Sequence, residues 1–240
     1  MANKAYRKGE ILENIEIEKN IYLMKVKGDF TGEPGQFYML RSEDPSYLLS
    51  RPISIYDVDK ENKTISFLYA VVGRGTKEFS SLKDSIKLFG PLGNAFPKTN
   101  KKVAIVGGGI GIAPLLYFAK SLGQKPDIYL GFREDPYLVE DFRKEADKLY
   151  IATEKEDENL SGYIVDHIDY DLYDEIYACG PMAMLKSLKE KNKKADLYLS
   201  LEARMACGLG ACLGCTVETK AGMKRVCKEG PIFKGEDLLI

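Results

Sequence analysis

The sequence contains very little histidine and no tryptophan. A single histidine, His167, occurs among its 240 residues. Nucleophilic triads depend on an imidazole base, and many zinc sites use histidine ligands. The composition therefore argues against His-based triads and His-rich metal sites, and we expect His167 to lie on a helix surface without a catalytic role.

The chain also lacks an excess of charge of either sign. It has 35 lysines and arginines against 36 aspartates and glutamates, which gives a net charge of −1. Proteins that bind nucleic acid or acidic membrane surfaces carry a basic face or stripe. We therefore expect neither nucleic acid nor a membrane among the partners. Hydrophobic residues, at 45%, supply enough material for a folded core.

No segment has the features of a targeting or membrane-spanning sequence. Residues 1–10 are charged and contain no apolar run of the kind that a signal peptide needs. The longest uncharged run, residues 103–119, contains four glycines and one proline, which suits a buried strand, turn and helix better than a bilayer span. These observations predict a cytoplasmic protein.

Two different hydrophobic patterns divide the chain. Up to about residue 98, short segments with alternating or β-branched and aromatic residues are separated by turn residues, which predicts a small closed β barrel. The predicted strands are residues 10–17, 21–27, 36–41, 51–58 and 64–72.

From Lys101 onward, strand-like and helix-like segments alternate, which predicts an open parallel sheet of five strands with helices on both faces. The predicted strands are residues 103–106, 128–132, 149–153, 175–179 and 197–201. The predicted helices are residues 112–122, 136–147, 162–168 and 182–192. The fold class is therefore a β barrel plus an α/β region, with predicted domains at 1–98 and 99–196 and a small C-terminal module at 197–240.

Four of the five cysteines lie in the glycine-rich tail, at Cys207, Cys212, Cys215 and Cys227. The first two gaps, of four and two residues, are those of plant-type 2Fe-2S ferredoxins. Glycine and apolar spacers let the backbone wrap closely around a cluster. The spacing predicts a 2Fe-2S cluster whose last ligand follows a tight hairpin around residues 220–223. A structural four-cysteine zinc site and a disulfide pair are the alternatives.

A second motif is the apolar strand that runs into Gly107, Gly108, Gly109, Ile110 and Gly111, with Pro114 following. Glycines permit a close approach of the backbone to a pyrophosphate, and the N-terminus of a helix attracts the anion. The segment differs from G-x-G-x-x-G because Pro114 stands where the last glycine would be. A tight strand–helix turn without a ligand is the plainer interpretation.

Two strand ends accompany this turn. Cys179, Gly180, Pro181 and Met182 follow a predicted strand, at the end where ligands bind in open α/β sheets. We expect Cys179 to be a small buried neighbour of the nicotinamide, not a nucleophile. The second strand ends in Phe132 and Arg133, which we also place in the nucleotide site. The acidic pair that follows, residues 134–135, would repel a 2′-phosphate, whereas Arg133 would attract one, and we expect NAD.

The motifs of the chain occur in an order that resembles the ferredoxin-NADP reductase superfamily. They are R-P-x-S at 51–54, Y-A-V-V-G-x-G-T at 69–76, G-P-L-G at 90–93, G-G-G-I-G-x-x-P at 107–114, C-G-P-M at 179–182 and the four-cysteine tail. Within that superfamily the chain is most similar to the electron-transfer subunits of type B dihydroorotate dehydrogenases, above all in residues 202–208 and 226–231. The resemblance covers essentially the whole chain.

The resemblance implies an FAD-binding barrel of Greek-key topology, a NAD-binding domain and a 2Fe-2S module. In such proteins the matching residues hold FAD, and here they are Arg51, Pro52, Ile53, Ser54, Leu68, Tyr69, Ala70, Gly75 and Thr76. The glycine turn and C-G-P-M hold the nicotinamide nucleotide. Ile53 departs from the superfamily, which has an aromatic residue there, and leaves Tyr56 or Tyr69 as substitutes.

The resemblance also implies a partner and a path for electrons. Electrons from dihydroorotate would pass from FMN on a catalytic subunit through the cluster and FAD to NAD⁺, in a heterotetramer of two plus two chains. Flavin exchanges both hydrides and single electrons, so no protein residue need act as acid or base. The alternatives are a subunit of a sulfide dehydrogenase, a ferredoxin:NADP transhydrogenase or a hydrogenase, and, from another class, a zinc-containing nucleotide-binding regulator.

Overall fold

Six antiparallel strands form the N-terminal part of the computed structural model, which describes residues 5–44, 46, 48–155 and 159–240. The first four residues of the charged N-terminal segment lie outside the described residues. The strands are β1 (Arg7–Glu18), β2 (Ile21–Lys27), β3 (Phe37–Arg41), β4 (Arg51–Asp59), β5 (Thr64–Ala70) and β6 (Ser85–Leu92). They close into a barrel in the order β1-β2-β5-β4-β3-β6.

The interior of this barrel is filled by alternate residues of the strands. Met24 and Val26 of β2 and Ile65 and Phe67 of β5 are fully buried. This alternation is the pattern that predicted the barrel. The sequence analysis missed β6, which pairs with both β1 and β3 and thereby closes the barrel. In the sequence analysis, Gly90-Pro91-Leu92-Gly93 at the end of this strand is only one of the motifs of the family resemblance.

A short helix, α1 (Arg74–Ser81), was also not predicted. It follows β5 and has few apolar residues, with Phe79 as its one large buried side chain. A segment of glycine, serine and charged residues has no apolar stripe that would indicate a helix. Its position against the barrel therefore depends on tertiary packing.

The second half contains the predicted parallel sheet. Its strands are β7 (Val103–Gly108), β8 (Asp127–Phe132), β9 (Leu149–Thr153), β10 (Leu160–Ser161), β11 (Glu175–Cys179) and β12 (Asp196–Ser200), and its helices are α2 (Leu115–Ser121), α3 (Val139–Glu145) and α4 (Met182–Lys191). The five predicted strands are confirmed as parallel neighbours in the order β9-β8-β7-β11-β12. The two-residue β10 extends the sheet at one edge.

Helices cover both faces of this sheet, as predicted. Phe118 of α2 and Phe142 of α3 share one buried cluster with Ile105 of β7. Leu185 and Leu188 of α4 belong to a second cluster, on the opposite side of the strands. The helix predicted over 162–168 is instead a single 3-10 turn, Ile164–Asp166, and His167 follows it with a ring nitrogen 3.0 Å from the Ser161 carbonyl oxygen. No helix among the described residues is both long and apolar enough to cross a bilayer.

The C-terminal tail makes a hairpin and then returns to the sheet. The hairpin consists of β13 (Thr216–Thr219) and β14 (Gly222–Arg225), which confirms the turn expected around residues 220–223. The chain then adds β15 (Ile232–Lys234) antiparallel to β12, as a seventh strand of the sheet. Because β15 pairs with β12, the tail is packed against the nucleotide-binding part along a strand edge. The boundary predicted at residue 197 falls within β12.

Candidate cofactor sites

A large cavity lies where the barrel, the parallel sheet and the C-terminal tail meet. It is open to solvent and has a volume of about 630 Å³. Its barrel wall includes residues 49–54, 68–70 and Thr76, its sheet wall includes Ile110, Pro114 and Cys179, and its third wall is residues 200–205. Most of the residues that the sequence analysis assigned to FAD therefore surround one space.

Arg51 and Gly75 meet on the barrel wall although they are 24 positions apart. The Arg51 side chain is half-buried and donates a hydrogen bond to the Leu49 carbonyl. A Cβ atom on Gly75 would lie 2.2 Å from the Arg51 Nη2, so only glycine leaves room for the guanidinium. The Thr76 hydroxyl accepts hydrogen bonds from the backbone N–H groups of Val72 (3.0 Å) and Gly73 (3.2 Å). The Arg51 contacts place a positive charge beside the start of α1, and the Thr76 bonds fix the turn that begins that helix.

The remaining barrel residues present an apolar surface with one hydroxyl. The cavity is lined by Pro52, Ile53 and Ser54 of β4, a strand that pairs with β3. It is also lined by Leu68 and Ala70 of β5. Ser54 is half-buried, so its hydroxyl stands among apolar neighbours and is available for a hydrogen bond.

Of the two tyrosines proposed as aromatic substitutes, only Tyr69 lies on the cavity wall. Its hydroxyl donates to Asn14 Oδ1 at 2.9 Å, and burial raises the pKa of Tyr69. Tyr56 is buried elsewhere and donates to Asp141 Oδ2 at 3.1 Å, a contact between the barrel and α3. Tyr56 therefore does not face the cavity.

The glycine turn after β7 packs directly on the end of β11. Gly109 adopts a φ of +53°, which favours glycine, and begins a 3-10 turn that ends at Ile112. A Cβ atom on Gly111 would lie 2.5 Å from the Cys179 carbonyl oxygen and from the Gly180 Cα. The structure thus brings residues 107–111 into contact with residues 179–181. Ile110, Pro114 and Cys179 line the cavity, whereas residues 107–109, 111, 180 and 181 are not part of its lining.

Phe132, Arg133 and Met182 lie outside the cavity lining, at strand ends on the same edge of the sheet. Phe132 is buried at the end of β8 and packs edge-on against Tyr137, with ring centroids 5.0 Å apart. Arg133 and Met182 are exposed. An ion pair that the sequence did not indicate, between Lys155 and Asp135 at 3.1 Å, partly neutralises the acidic pair 134–135.

The third wall of the cavity was missed by the sequence analysis. It contains Ser200, the last residue of β12, and Glu202 and Arg204, which follow that strand. The Glu202 side chain is exposed to solvent at the cavity, and partial desolvation by the residues around it raises its pKa. Burial, with Glu202 nearby, raises the pKa of Cys179, so its thiol stays protonated. The rule that ligands bind at carboxyl ends of parallel strands could have indicated this segment, because β12 ends there.

The four tail cysteines form two contacting pairs, Cys207 with Cys212 and Cys215 with Cys227. Burial works against the Cys207 thiolate, but the backbone N–H groups of Leu209, Cys212 and Ala211 donate to its sulfur and lower its pKa to about 6. The Cys215 sulfur accepts from the Cys227 N–H at 3.4 Å. Burial and the adjacent Cys215 raise the pKa of Cys227 to about 12.

This donor set fits a two-iron cluster better than a single metal ion. Within the described ranges, no three histidine, cysteine, aspartate or glutamate side chains are arranged to hold one metal ion. A 2Fe-2S cluster has four cysteine ligands shared between two irons, and N–H groups directed at sulfur stabilise its negative charge. The paired cysteines and their N–H donors match these requirements, and none of the five cysteines is in a disulfide.

A closed barrel and a parallel sheet that share a cavity, together with the four cysteines of the tail, define an electron-transfer flavoprotein of the ferredoxin reductase type, which uses FAD, an iron–sulfur cluster and NAD. Residues 202–239 match the iron-sulfur cluster binding domain of dihydroorotate dehydrogenase B. The chain belongs to the family of electron-transfer subunits of NAD-dependent dihydroorotate dehydrogenase B. It is 46% identical to the subunit of Clostridium acetobutylicum, over 98% of both chains, and 42% identical to that of Clostridium perfringens, over 96% of both.

Solved structures agree with the fold. An NADH-dependent reduced ferredoxin-NADP oxidoreductase that performs flavin-based electron bifurcation has a TM-score of 0.88 and 28% identity, covering 99% of this chain and 91% of that one. The FAD/NAD-binding domain of a Vibrio cholerae nitric oxide dioxygenase has a TM-score of 0.68 and 14% identity, covering 82% and 99%, and shows the fold alone. Sequence identity to the dihydroorotate dehydrogenase subunits, at 46% and 42%, exceeds the 28% identity to this ferredoxin-NADP oxidoreductase. A transhydrogenase subunit is therefore less favoured than the dihydroorotate dehydrogenase subunit.

Proposed function

We propose that this chain carries electrons from a catalytic dihydroorotate dehydrogenase subunit to NAD⁺. The observation that carries the proposal is the shared cavity, whose walls come from the barrel, from the glycine turn and from the segment that leads into the cysteine loop. A flavin held there would lie between a nicotinamide and an iron–sulfur cluster. FAD supplies the needed chemistry because it takes up or releases hydride on one side and single electrons on the other.

The residues of the chain act by binding and positioning. Arg51 offers a fixed positive charge for the FAD pyrophosphate, and Ser54 offers a hydroxyl for the flavin ring. We assign FAD to residues 51–54, 68–70, 75 and 76, and NAD to residues 107–111, 114, 132, 133 and 179–182. We assign the cluster to Cys207, Cys212, Cys215 and Cys227. The protonated Cys179 contributes a small apolar surface beside the nicotinamide, as expected from its burial.

The cysteine loop lies against the barrel. A Cβ atom on Gly208 would come within 2.8 Å of Met39 Cγ and 3.0 Å of Leu92 Cδ1, so the loop backbone rests directly on β3 and β6. This close approach, which glycine allows, supports a short path between the cluster and a flavin bound in the cavity.

The relatives are named as subunits, which implies a catalytic partner. We propose that this partner carries FMN and that the complex contains two copies of each chain. We further propose a location in the cytoplasm, in line with the five unbridged cysteines. For domain boundaries we propose residues 1–98, 99–196 and 197–240.

The proposal is tested by absorption spectroscopy of the anaerobically purified full chain. We expect flavin bands with a broad iron–sulfur absorption at longer wavelength, both bleached when NADH is added. Cys227→Ser should lose the long-wavelength absorption and keep flavin reduction by NADH. A colourless protein containing zinc would contradict the proposal and favour the nucleotide-binding regulator.

The partner is tested separately. After the FMN subunit is mixed with this chain, dihydroorotate should reduce NAD⁺, and neither subunit alone should support that reaction. The mass of the complex in solution gives the stoichiometry. Activity with hydrogen, sulfide or reduced ferredoxin as the electron source, and none with dihydroorotate, would favour the alternative complexes.

A further inference from the structure

Arg225 and Glu229 form a half-buried ion pair beside the cysteine loop. The Arg225 Nε donates to Glu229 Oε2 at 3.0 Å, Nη2 donates to Oε1, and the backbone N–H of Arg225 donates to Oε2 at 2.7 Å. The two side chains are 29% and 28% exposed. The two guanidinium bonds to one carboxylate hold the guanidinium in a single orientation, and the backbone bond fixes the carboxylate.

The same guanidinium reaches into the cysteine loop. Its Nη1 donates to the carbonyl oxygen of Gly210, which lies between Cys207 and Cys212, at 3.1 Å. Gly210 adopts a φ of +79°. Arg225 therefore joins the end of β14 to the loop that carries three of the four cysteines, and Glu229 fixes it in that place.

The two members of the ion pair differ in their electrostatic partners. The Arg225 guanidinium interacts electrostatically with Cys227 and Cys215, whereas Glu229 interacts with Arg225 and Lys228. The guanidinium is thus the member of the pair that contacts the cysteine loop, through its bond to the Gly210 carbonyl. Because the pair is half-buried, solvent screens its field less than that of an exposed pair.

We propose that Arg225 positions the cysteine loop and raises the reduction potential of the cluster, and that Glu229 limits this rise. The inference rests on the proposed assignment of a 2Fe-2S cluster to the four cysteines. Reduction adds one electron to a site that already carries four thiolates, so a nearby positive charge stabilises the reduced form more than the oxidised form. A carboxylate behind that cation acts in the opposite direction.

The test is a measurement of the midpoint potential of the cluster in the full chain loaded with FAD and cluster. Dithionite supplies the electrons, and electron paramagnetic resonance reports the fraction of reduced cluster. Arg225→Gln should shift the potential to more negative values, and Glu229→Gln to more positive values. At one fixed solution potential each change should alter the ratio of reduced to oxidised cluster by about tenfold, or ~59 mV for a one-electron couple. The midpoint potential of the double variant should be close to that of the wild type. Arg225→Lys keeps the positive charge, so its potential should stay closer to the wild-type value than that of Arg225→Gln.

Opposite shifts distinguish a charge effect from a loosened loop, because loosening would move both single variants in the same direction. Lys191→Gln removes one positive charge from the ion pair between Lys191 of α4 and Asp166 of the 3-10 turn, and it should leave the potential unchanged. If Arg225→Gln does not retain the cluster, Glu229→Gln decides: an unchanged or more negative potential overturns the inference. A wild-type chain without a 2Fe-2S signal would instead refute the proposed function.

Discussion

At the scale of single residues, a missing side chain determines where a charged one can lie. The Arg51 guanidinium occupies the space beside Gly75 where a Cβ atom would otherwise stand. The conflict involves the flexible end of an arginine and no backbone atom, so the fold can tolerate it. The effect of a methyl group at Gly75 should therefore appear in ligand binding more than in stability.

Gly75→Ala should weaken FAD binding by at least about tenfold, because the added methyl group displaces the guanidinium proposed to bind the pyrophosphate. Gly73→Ala is the matched control, since Gly73 lies in the same turn and a Cβ atom added there would have no neighbour within 4 Å. The measurement is titration of the FAD-free chain with FAD by flavin fluorescence. Equal affinities in the two variants would contradict the assigned role of Arg51.

A second residue-scale prediction concerns Tyr69. Tyr69→Phe leaves the buried Asn14 Oδ1 without its donor and should lower the free energy of unfolding by about 1–2 kcal/mol. Tyr22→Phe, which removes a longer and exposed bond to Glu16 on the same side of the barrel, should cost less than about 0.5 kcal/mol. Urea unfolding of the two variants measures the difference, and equal losses would argue against the buried bond.

At the scale of elements, the turn after β7 is placed by its contact with the end of β11. Gly111 touches backbone atoms of residues 179 and 180, and neither can move without shifting a central strand of the sheet. Two motifs that are about 70 positions apart in the sequence therefore act as one element. The sequence predicted each motif from its own residues, but their direct contact follows from the adjacency of β7 and β11.

Gly111→Ala should force the turn away from β11, weaken NADH binding at least about tenfold and lower the free energy of unfolding by about 1–3 kcal/mol. Gly123→Ala adds the same methyl group in open space near the end of α2 and should change neither quantity appreciably. NADH titration and thermal unfolding check both effects. Unaltered NADH binding in a folded Gly111→Ala protein would remove this turn from the nucleotide site.

At the scale of the whole molecule, Asn94 connects the barrel to the tail. Its Nδ2 donates to the carbonyl oxygens of Glu229 (3.2 Å) and Ile232 (2.8 Å), and its Oδ1 accepts from the Ile232 N–H at 3.0 Å. This side chain helps to keep the cysteine loop at a fixed position relative to the cavity.

Asn94→Ala should slow electron transfer between flavin and cluster several-fold, because the tail is held less firmly against the barrel. Reduction of the flavin by NADH, which needs only the barrel and sheet walls, should stay within about twofold of wild type. Asn62→Ala, in an exposed turn where Asn62 bonds Asp59, is the control. Anaerobic stopped-flow absorption follows both steps, and equal slowing of both would contradict this separation of roles.

The sequence predicted most strands, the grouping of the four tail cysteines and most of the cavity lining, because each of these follows from the periodicity or spacing of residues that are close together in the chain. It missed α1, which has no apolar stripe, and it missed β6, although residues 85–88 alternate between polar and apolar side chains. It also missed the edge strands β10 and β15, which are only two and three residues long, and it overestimated the helix over 162–168. It also placed Tyr56 among the aromatic residues that could face the flavin, whereas the hydroxyl of Tyr56 bonds Asp141. Side-chain direction on an irregular strand depends on a bulge such as the one between Ile55 and Asp57.

By itself the sequence determined the chemistry of this protein: a ferredoxin-like cysteine spacing, a glycine turn for a nucleotide and an arginine on a barrel strand. Those signals are local, because metal ligation and tight turns depend on residues close together in the chain. Only the tertiary structure decided that residues 200–205 complete the cavity, that Asn94 holds the tail and that Arg225 bonds the cysteine loop at Gly210. These contacts join segments whose proximity results from packing, which no spacing along the chain encodes.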